Sequence, residues 1–254
     1  VKTATSEIRR HKAVLSRFRL TESETEVEFW EYSKGFLEHA REVSSRDRGE
    51  RGLNPRRLDN MAAIRNNVRR LVNSNAGRYG YEAVFLTFTF RENLTDIDLA
   101  WSYWHAFMRR MRSRFGALHA LSVMEFQKRG AVHFHCIFFN LPPSVEKNER
   151  KDRTVAILWG LGFVDIERIR SAKNVGAYVC KYLNKSASDA RLQGKKFYST
   201  TRNLFRPTTT TGDYARDRFL RIVSGAQLEL SGESVYSYGG SPVHYYNYRK
   251  ICLP

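Results

Sequence analysis

At 254 residues the chain is long enough for one large domain, or for one domain with appended helices, and its 42% hydrophobic content can build a core without disulfide staples. Its 43 Lys and Arg against 26 Asp and Glu leave a formal net charge of +17, which favours a polyanionic partner because basic side chains release counterions from a phosphate backbone. The sequence holds no apolar run long enough to span a bilayer and no charged-then-apolar signal segment, which excludes a membrane partner and predicts a soluble, cytoplasmic protein.

Residues 1–78 read as a basic helical extension. Val27, Trp30, Lys34, Leu37 and Arg41 recur at helical spacing, and residues 56–73 carry Arg56, Arg57, Arg65, Arg69 and Arg70. A breaker over residues 46–55, with Gly49, Gly52 and Pro55, separates the two stretches. Such a helix is either a solvated face or a DNA contact, and Arg65 and Arg69 are the contact candidates.

From residue 81 the texture changes. Residues 82–90 form a β-rich run, and Asp96 caps a helix whose Leu99, Tyr103, Phe107 and Met111 share one face. Residues 118–127 and 131–139 are two further strands, followed by a helix near 150–159, a strand at 163–169 and a helix over 174–186. The order βαββαβα predicts an α+β domain over residues 79–204, a ferredoxin-like or RRM-like antiparallel sheet with helices packed on one face. Residues 205–254 read as a C-terminal appendage able to pack on that domain, with a Thr run at 208–211 and a Tyr-rich stretch holding Tyr236, Tyr238, Tyr245, Tyr246 and Tyr248.

There is no repeat and no Gly-x-x-x-x-Gly-Lys-Ser/Thr phosphate loop, which excludes a helicase motor. Cys136, Cys180 and Cys252 are odd in number and far apart, which suits a reducing compartment. The chain opens on Val1 rather than Met and so reads as a possible piece of a longer protein.

The sharpest local pattern is Val132-His133-Phe134-His135-Cys136-Ile137-Phe138. Residues two apart on a strand point to one side, so His133 and His135 share a face while Val132, Phe134, Cys136 and Phe138 form an apolar row on the other. If Lys128, Arg129 and Gly130 make a three-residue hairpin loop with Gly130 left-handed, Gln127 pairs with Ala131 and Glu125 stands opposite His133. A two-residue loop would turn Glu125 to the other side. Two imidazoles and a carboxylate suit a divalent cation, Mg²⁺ or Mn²⁺. Taken alone, His-x-His on a strand is more often two surface or half-buried histidines; Glu125 and the helix described next weigh against that.

Within Gly176-Ala177-Tyr178-Val179-Cys180-Lys181-Tyr182-Leu183-Asn184-Lys185, helical spacing gathers Tyr178, Lys181, Tyr182 and Lys185 on one face. Val175, Val179, Cys180 and Leu183 occupy the face expected to pack on the sheet. A Tyr pair at this spacing is usually a packed or exposed aromatic pair. Beside a cation and lysines, however, a phenol oxygen can attack phosphorus.

The segments Phe85-Leu86-Thr87-Phe88-Thr89-Phe90, His133-Phe134-His135 and Tyr178 to Lys185 occur in the order of the three motifs of HUH rolling-circle replication initiators. The chain resembles that family, in the two-tyrosine form found among initiators of single-stranded-DNA phages and some plasmids. The likeness covers residues 83–185, and the basic segment Gly194-Lys195-Lys196-Phe197 with residues 199–204 also looks similar to plasmid initiators.

The resemblance implies that residues 79–204 are a nuclease domain in which His133 and His135 hold a divalent metal with Glu125 as third ligand. It makes Tyr178 the nucleophile of the Tyr-x-x-Lys form, Lys181 its positioning lysine and Tyr182 the second tyrosine. Phe85, Thr87 and Thr89 would line the site, and Thr87, Thr89, Lys128, Arg129 and Lys185 join Arg65 and Arg69 as DNA-contact candidates. The implied activity is nicking of single-stranded or hairpin origin DNA, with a 5′-phosphotyrosyl intermediate, a free 3′-OH and strand joining at termination. A host helicase and polymerase would be the partners, in the cytoplasm of a bacterium carrying the phage or plasmid. Two rivals stay open: a non-catalytic RRM-like nucleic-acid-binding module, which would expose aromatics on its two central strands, and a relaxase or single-strand transposase of the same chemistry.

Overall fold

The computed structural model describes residues 15–37, 55–145, 153–169, 175–192, 194–225, 228–238 and 240–251, without the side chains of residues 55–61, 168, 184, 187 and 188. In chain order the elements begin β1 (Leu15–Glu22), β2 (Glu26–Leu37), α1 (Pro55–Asn73), β3 (Val84–Phe90), α2 (Ile97–Phe115), β4 (Ala120–Phe126) and β5 (Val132–Phe138). They continue through α3 (Thr154–Trp159), β6 (Gly162–Arg168), α4 (Val175–Ser188) and β7 (Tyr198–Thr200) to β8 (Thr208–Thr211), α5 (Gly212–Gly225), β9 (Leu228–Tyr238) and β10 (Ser241–Lys250). Arg41, most of the predicted breaker, the start of the helix predicted at 150–159, Asn174 and Cys252 lie outside the described residues.

The chain divides into two compact units. One comprises Leu53–Pro207 with Ser23–Thr25, and the other Val1–Glu22, Glu26–Gly52 and Thr208–Pro254. This departs from the expected division into a 1–78 extension, a 79–204 domain and a 205–254 appendage. The N-terminal strands and the C-terminal segment build a sheet together, and α1 belongs with the central unit.

In the central unit the order βαββαβα is realised from β3 to α4. The antiparallel sheet runs β6-β3-β5-β4-β7, so the four strands of the predicted motif take the spatial order of a ferredoxin-like fold, with β7 added at the edge. Asp96 caps α2, its carboxylate accepting from the backbone N–H groups of Asp98 and Leu99 at 2.9 Å each. Ala100, Trp101, Trp104, Phe107, Met108 and Met111 are buried. Phe107 and Met111 were expected there, whereas Leu99 and Tyr103 are 42% and 37% exposed. The row read from the sequence was displaced because two tryptophans one turn apart, rather than Leu99, carry the contact. Trp104 and Trp159 of α3 meet Phe88 of β3 at ring centroid distances of 5.1 and 5.2 Å. Each such aromatic contributes about 1.5–3 kcal/mol by burial.

α2 and α3 cover the even-numbered face of β3. α4 lies against the odd-numbered face, where Tyr178 and Tyr182 meet the ring of Phe85 at 5.1 and 4.9 Å. Helices on one face therefore describes α2 and α3 only. Val179, Cys180 and Leu183 of α4 are buried as expected, but Cys180 meets α1, its thiol donating to the Arg65 carbonyl at 3.4 Å. α4 thus stands between the sheet and α1. Gly176 permits that approach: a Cβ there would lie 2.5 Å from the Arg69 carbonyl oxygen, and its N–H donates to Asn73 Oδ1 at 2.9 Å.

The other unit holds a sheet ordered β8-β1-β2-β10-β9. The helix expected through Val27, Trp30, Lys34 and Leu37 is the strand β2. Val27 and Phe29 are buried on one side with Leu20 and Ala215, and Trp30, Tyr32 and Phe36 on the other with Val243. A strand buried on both faces loses its period-two signal, and its leftover apolar spacing of three and four mimics a helix.

Candidate active site

The hairpin between β4 and β5 closes as the sequence predicts. Gly130 has φ 90°, its N–H donates to the Gln127 carbonyl at 2.9 Å, and the Gln127 N–H donates to the Ala131 carbonyl at 2.9 Å. Glu125 is the register partner of His133. The pleat therefore brings Glu125, His133 and His135 to one face, with Glu125 and His135 buried and His133 half-buried.

His135 Nε2 lies 3.4 Å from Glu125 Oε2, and His135 Nδ1 is 3.1 Å from the Thr87 hydroxyl. Thr87 pairs in register with His135, and Thr89 with His133. The Thr89 hydroxyl is hydrogen-bonded to His133 Nε2. The two threonines, expected to line the site or touch DNA, thus orient the imidazoles. Hydroxyl partners on ring nitrogens fix the tautomer and rotation of a ligating histidine.

Glu125 is held between the His135 ring and the Lys185 ammonium. Burial alone would raise its pKa, but hydrogen bonds from His135 and Lys185 outweigh that and keep the carboxyl below its ordinary value. Lys185 Nζ is paired with Glu125 Oε1. Burial, then the charge of His135, pushes His133 down to about 4, so its ring is neutral near pH 7.

Among the described residues no three His, Cys, Asp or Glu groups are already drawn into a metal cage. His133 Nε2 is hydrogen-bonded to Thr89, and the Lys185 ammonium is paired with one oxygen of Glu125. By type, two imidazoles and a carboxylate are donors that a divalent cation accepts. Glu125 Oε2 is buried, lies 3.4 Å from His135 Nε2, and belongs to a carboxylate that stays ionised.

A cavity of about 650 Å³ opens over these groups, lined by Glu125, Gln127, Lys128, Arg129, His133, His135, Lys181, Tyr182 and Lys185. Tyr182 stacks obliquely on His135 at 4.1 Å between ring centroids. Tyr178 does not line the cavity. Its hydroxyl donates to Glu167 Oε2 at 3.2 Å and lies 3.4 Å from that of Tyr182. Burial, then the Tyr182 hydroxyl and the Glu167 charge, holds the Tyr178 phenol well above its usual pKa.

Lys128 and Lys181 are exposed at the rim. Arg129 is tied down, donating to Gln127 Oε1 at 3.0 Å and to the Phe90 carbonyl at 2.6 Å. Arg65 and Arg69 lie on α1 and are not among the lining residues. Glu167 escaped the sequence reading. The alternation Phe163, Asp165, Glu167 along β6, with Glu167 opposite Phe85, would have revealed an acidic row on the tyrosine face.

Residues 83–187 match one family model, that of the ORF2-type replication-associated proteins. The matched segment spans β3 to nearly the end of α4, and so includes the three histidine-face strands, the hairpin and both tyrosines. No curated protein and no solved structure matches the chain. No helix among the described residues is long and apolar enough to cross a membrane. Cys136 and Cys180 are both buried free thiols.

Proposed function

We propose that the chain is a replication initiator that nicks single-stranded origin DNA by tyrosine transesterification. The observation that carries this reading is a phenol stacked on His135 inside a cavity that also holds Glu125, His133 and two lysines. The match to a replication-associated family supports the biological setting. Glu125, His133 and His135 would hold the divalent ion, Mg²⁺ or Mn²⁺, which when bound supplies positive charge to polarise the scissile phosphate.

Lys181 and Lys128 at the rim draw the DNA backbone in, and Lys185 neutralises phosphate charge once it releases Glu125. The Tyr182 oxygen forms a bond to phosphorus as the bond from phosphorus to the 3′ oxygen breaks. The phenol proton leaves to solvent and the departing oxygen takes one up. The products are a 5′-phosphotyrosyl end and a free 3′-OH, from which a host polymerase and helicase continue.

The surroundings of the two tyrosines support an order for them. Tyr182 lines the cavity, whereas Tyr178 is bonded to Glu167 and suppressed by burial. We therefore give Tyr182 the first attack and Tyr178 the later strand joining, reversing the order suggested by the Tyr178-x-x-Lys181 match. Tyr182-x-x-Lys185 has the same form.

The RRM-like alternative would expose aromatics on the two central strands. β3 and β5 instead carry Thr87, Thr89, His133 and His135 on that face, and Phe85 is only 4% exposed, which favours the enzyme. The test is to incubate the protein with a degenerate library of labelled single-stranded oligonucleotides and Mn²⁺ or Mg²⁺, and to look for a covalent adduct on a denaturing gel. Absence of any adduct with either ion overturns the enzyme reading.

A further inference from the structure

On the face of the central sheet opposite the histidines, a second cavity of about 620 Å³ opens between α2, β4 and the segment through β7. Ser122 of β4 lines it and pairs with Cys136, on the opposite pleat from Glu125. Arg112, Lys196 and Arg202 bring three cations to its wall, Ser199, Thr201 and Asn203 bring neutral polar groups, and no Asp or Glu among the described residues lines it.

The wall is braced by hydrogen bonds. The Lys196 carbonyl accepts from Trp101 Nε1 at 3.0 Å, the Phe197 carbonyl from the Met124 N–H at 2.7 Å, and the Ala120 N–H donates to Thr201 Oγ1 at 3.0 Å. The positive field also reaches His105, another lining residue: burial first, then Lys196, Arg109 and Arg112, holds its ring below the ordinary histidine range. Guanidinium, ammonium, hydroxyl and amide groups on a fixed wall suit phosphate oxygens. Single-strand binders add aromatic platforms for stacking bases. The one aromatic besides His105 in this lining, Trp104, is 2% exposed.

We propose that this cavity grips the phosphate backbone of double-stranded DNA flanking the nick, fixing the register in which the single strand reaches the tyrosines on the other face. The inference rests on the nicking reading and extends it to a second, duplex-specific site.

The test uses the full chain with Arg112→Gln and Arg202→Gln combined, both exposed positions, after thermal unfolding has verified the fold. Fluorescence anisotropy is measured on a hairpin with a single-stranded arm and on the arm alone across a salt series. The expected result is a loss of about tenfold or more in hairpin affinity and a salt slope lower by about 2, since each phosphate contact contributes about 0.9. Arm binding and adduct formation on the arm should stay within about twofold of wild type on the same charge argument. Unchanged hairpin affinity and slope overturn the proposal, and so does an equal loss on hairpin and arm, which would mean general charge attraction. If wild type forms no adduct but the variant still loses hairpin binding selectively, the nicking reading fails and the duplex site stands.

Discussion

Tyr178 and Tyr182 are one helical turn apart, carry the same phenol and each precede a lysine by three residues, yet their surroundings differ. Tyr182 stacks on His135 while Tyr178 donates to Glu167. We expect Tyr182→Phe to abolish the first covalent adduct, and Tyr178→Phe to retain it while losing strand joining in an assay that scores ligated product. An adduct that survives Tyr182→Phe and vanishes in Tyr178→Phe would restore the opposite order. Glu167→Gln removes a negative charge that favours the neutral phenol. Because the native shift is upward, phenolate forms only above the pH at which a free tyrosine ionises, and the substitution should lower that pH. An alkaline absorbance titration, differenced against Tyr178→Phe, reads the change directly. At this scale spacing put His133 with His135 and Tyr178 with Tyr182 on shared faces, the Gly130 turn put Glu125 opposite His133, and the family resemblance supplied the roles expected of them. The sequence was silent on Thr87, Thr89 and Glu167 as partners, because a hydroxyl or carboxylate on the right face says nothing of which ring nitrogen or phenol it will meet.

Elements explain why those side chains converge. The Gly130 turn sets the β4–β5 register, and one residue of slip would send Glu125 into the apolar layer with Met124 and Phe134. Gly176 lets α4 lie close on α1. Gly176→Ala should cost about 1–3 kcal/mol by overpacking, read as a lower urea midpoint, with reduced adduct yield as α4 shifts. Asp96→Ala should cost about 1 kcal/mol through the lost cap of α2 and leave adduct formation intact, which separates loss of stability from loss of site geometry. The strands and helices from β3 to α4 were legible because each has a local period or cap, whereas β7, three residues long, has neither. β2 was not legible either, since its two buried faces erase alternation and its partner β10 is far away in sequence, with Tyr32 opposite Val243.

For the whole molecule, a divalent ion that binds only the folded chain must raise its stability. Mn²⁺ at about 100 times its dissociation constant should add about 2.7 kcal/mol, visible as a higher melting temperature for wild type and little change for His135→Ala. Equal shifts in both would place the ion elsewhere. The net charge of +17 predicts binding that weakens steeply with salt, but it does not say where the polyanion lies. The sequence by itself determined the strongly basic balance of charge, the α+β order of the central segment, and the faces of one strand and one helix on which the histidines and tyrosines stand. These follow from composition and from periods of two and 3.6 residues, which are local properties of the chain. Only the tertiary structure decided that α4 covers the histidine face, that Tyr182 rather than Tyr178 lines the cavity, that α1 joins the central unit, and that β1 and β2 share a sheet with β8, β9 and β10. Those outcomes depend on contacts between residues distant in sequence, where burial and hydrogen-bond satisfaction are fixed by the packed whole.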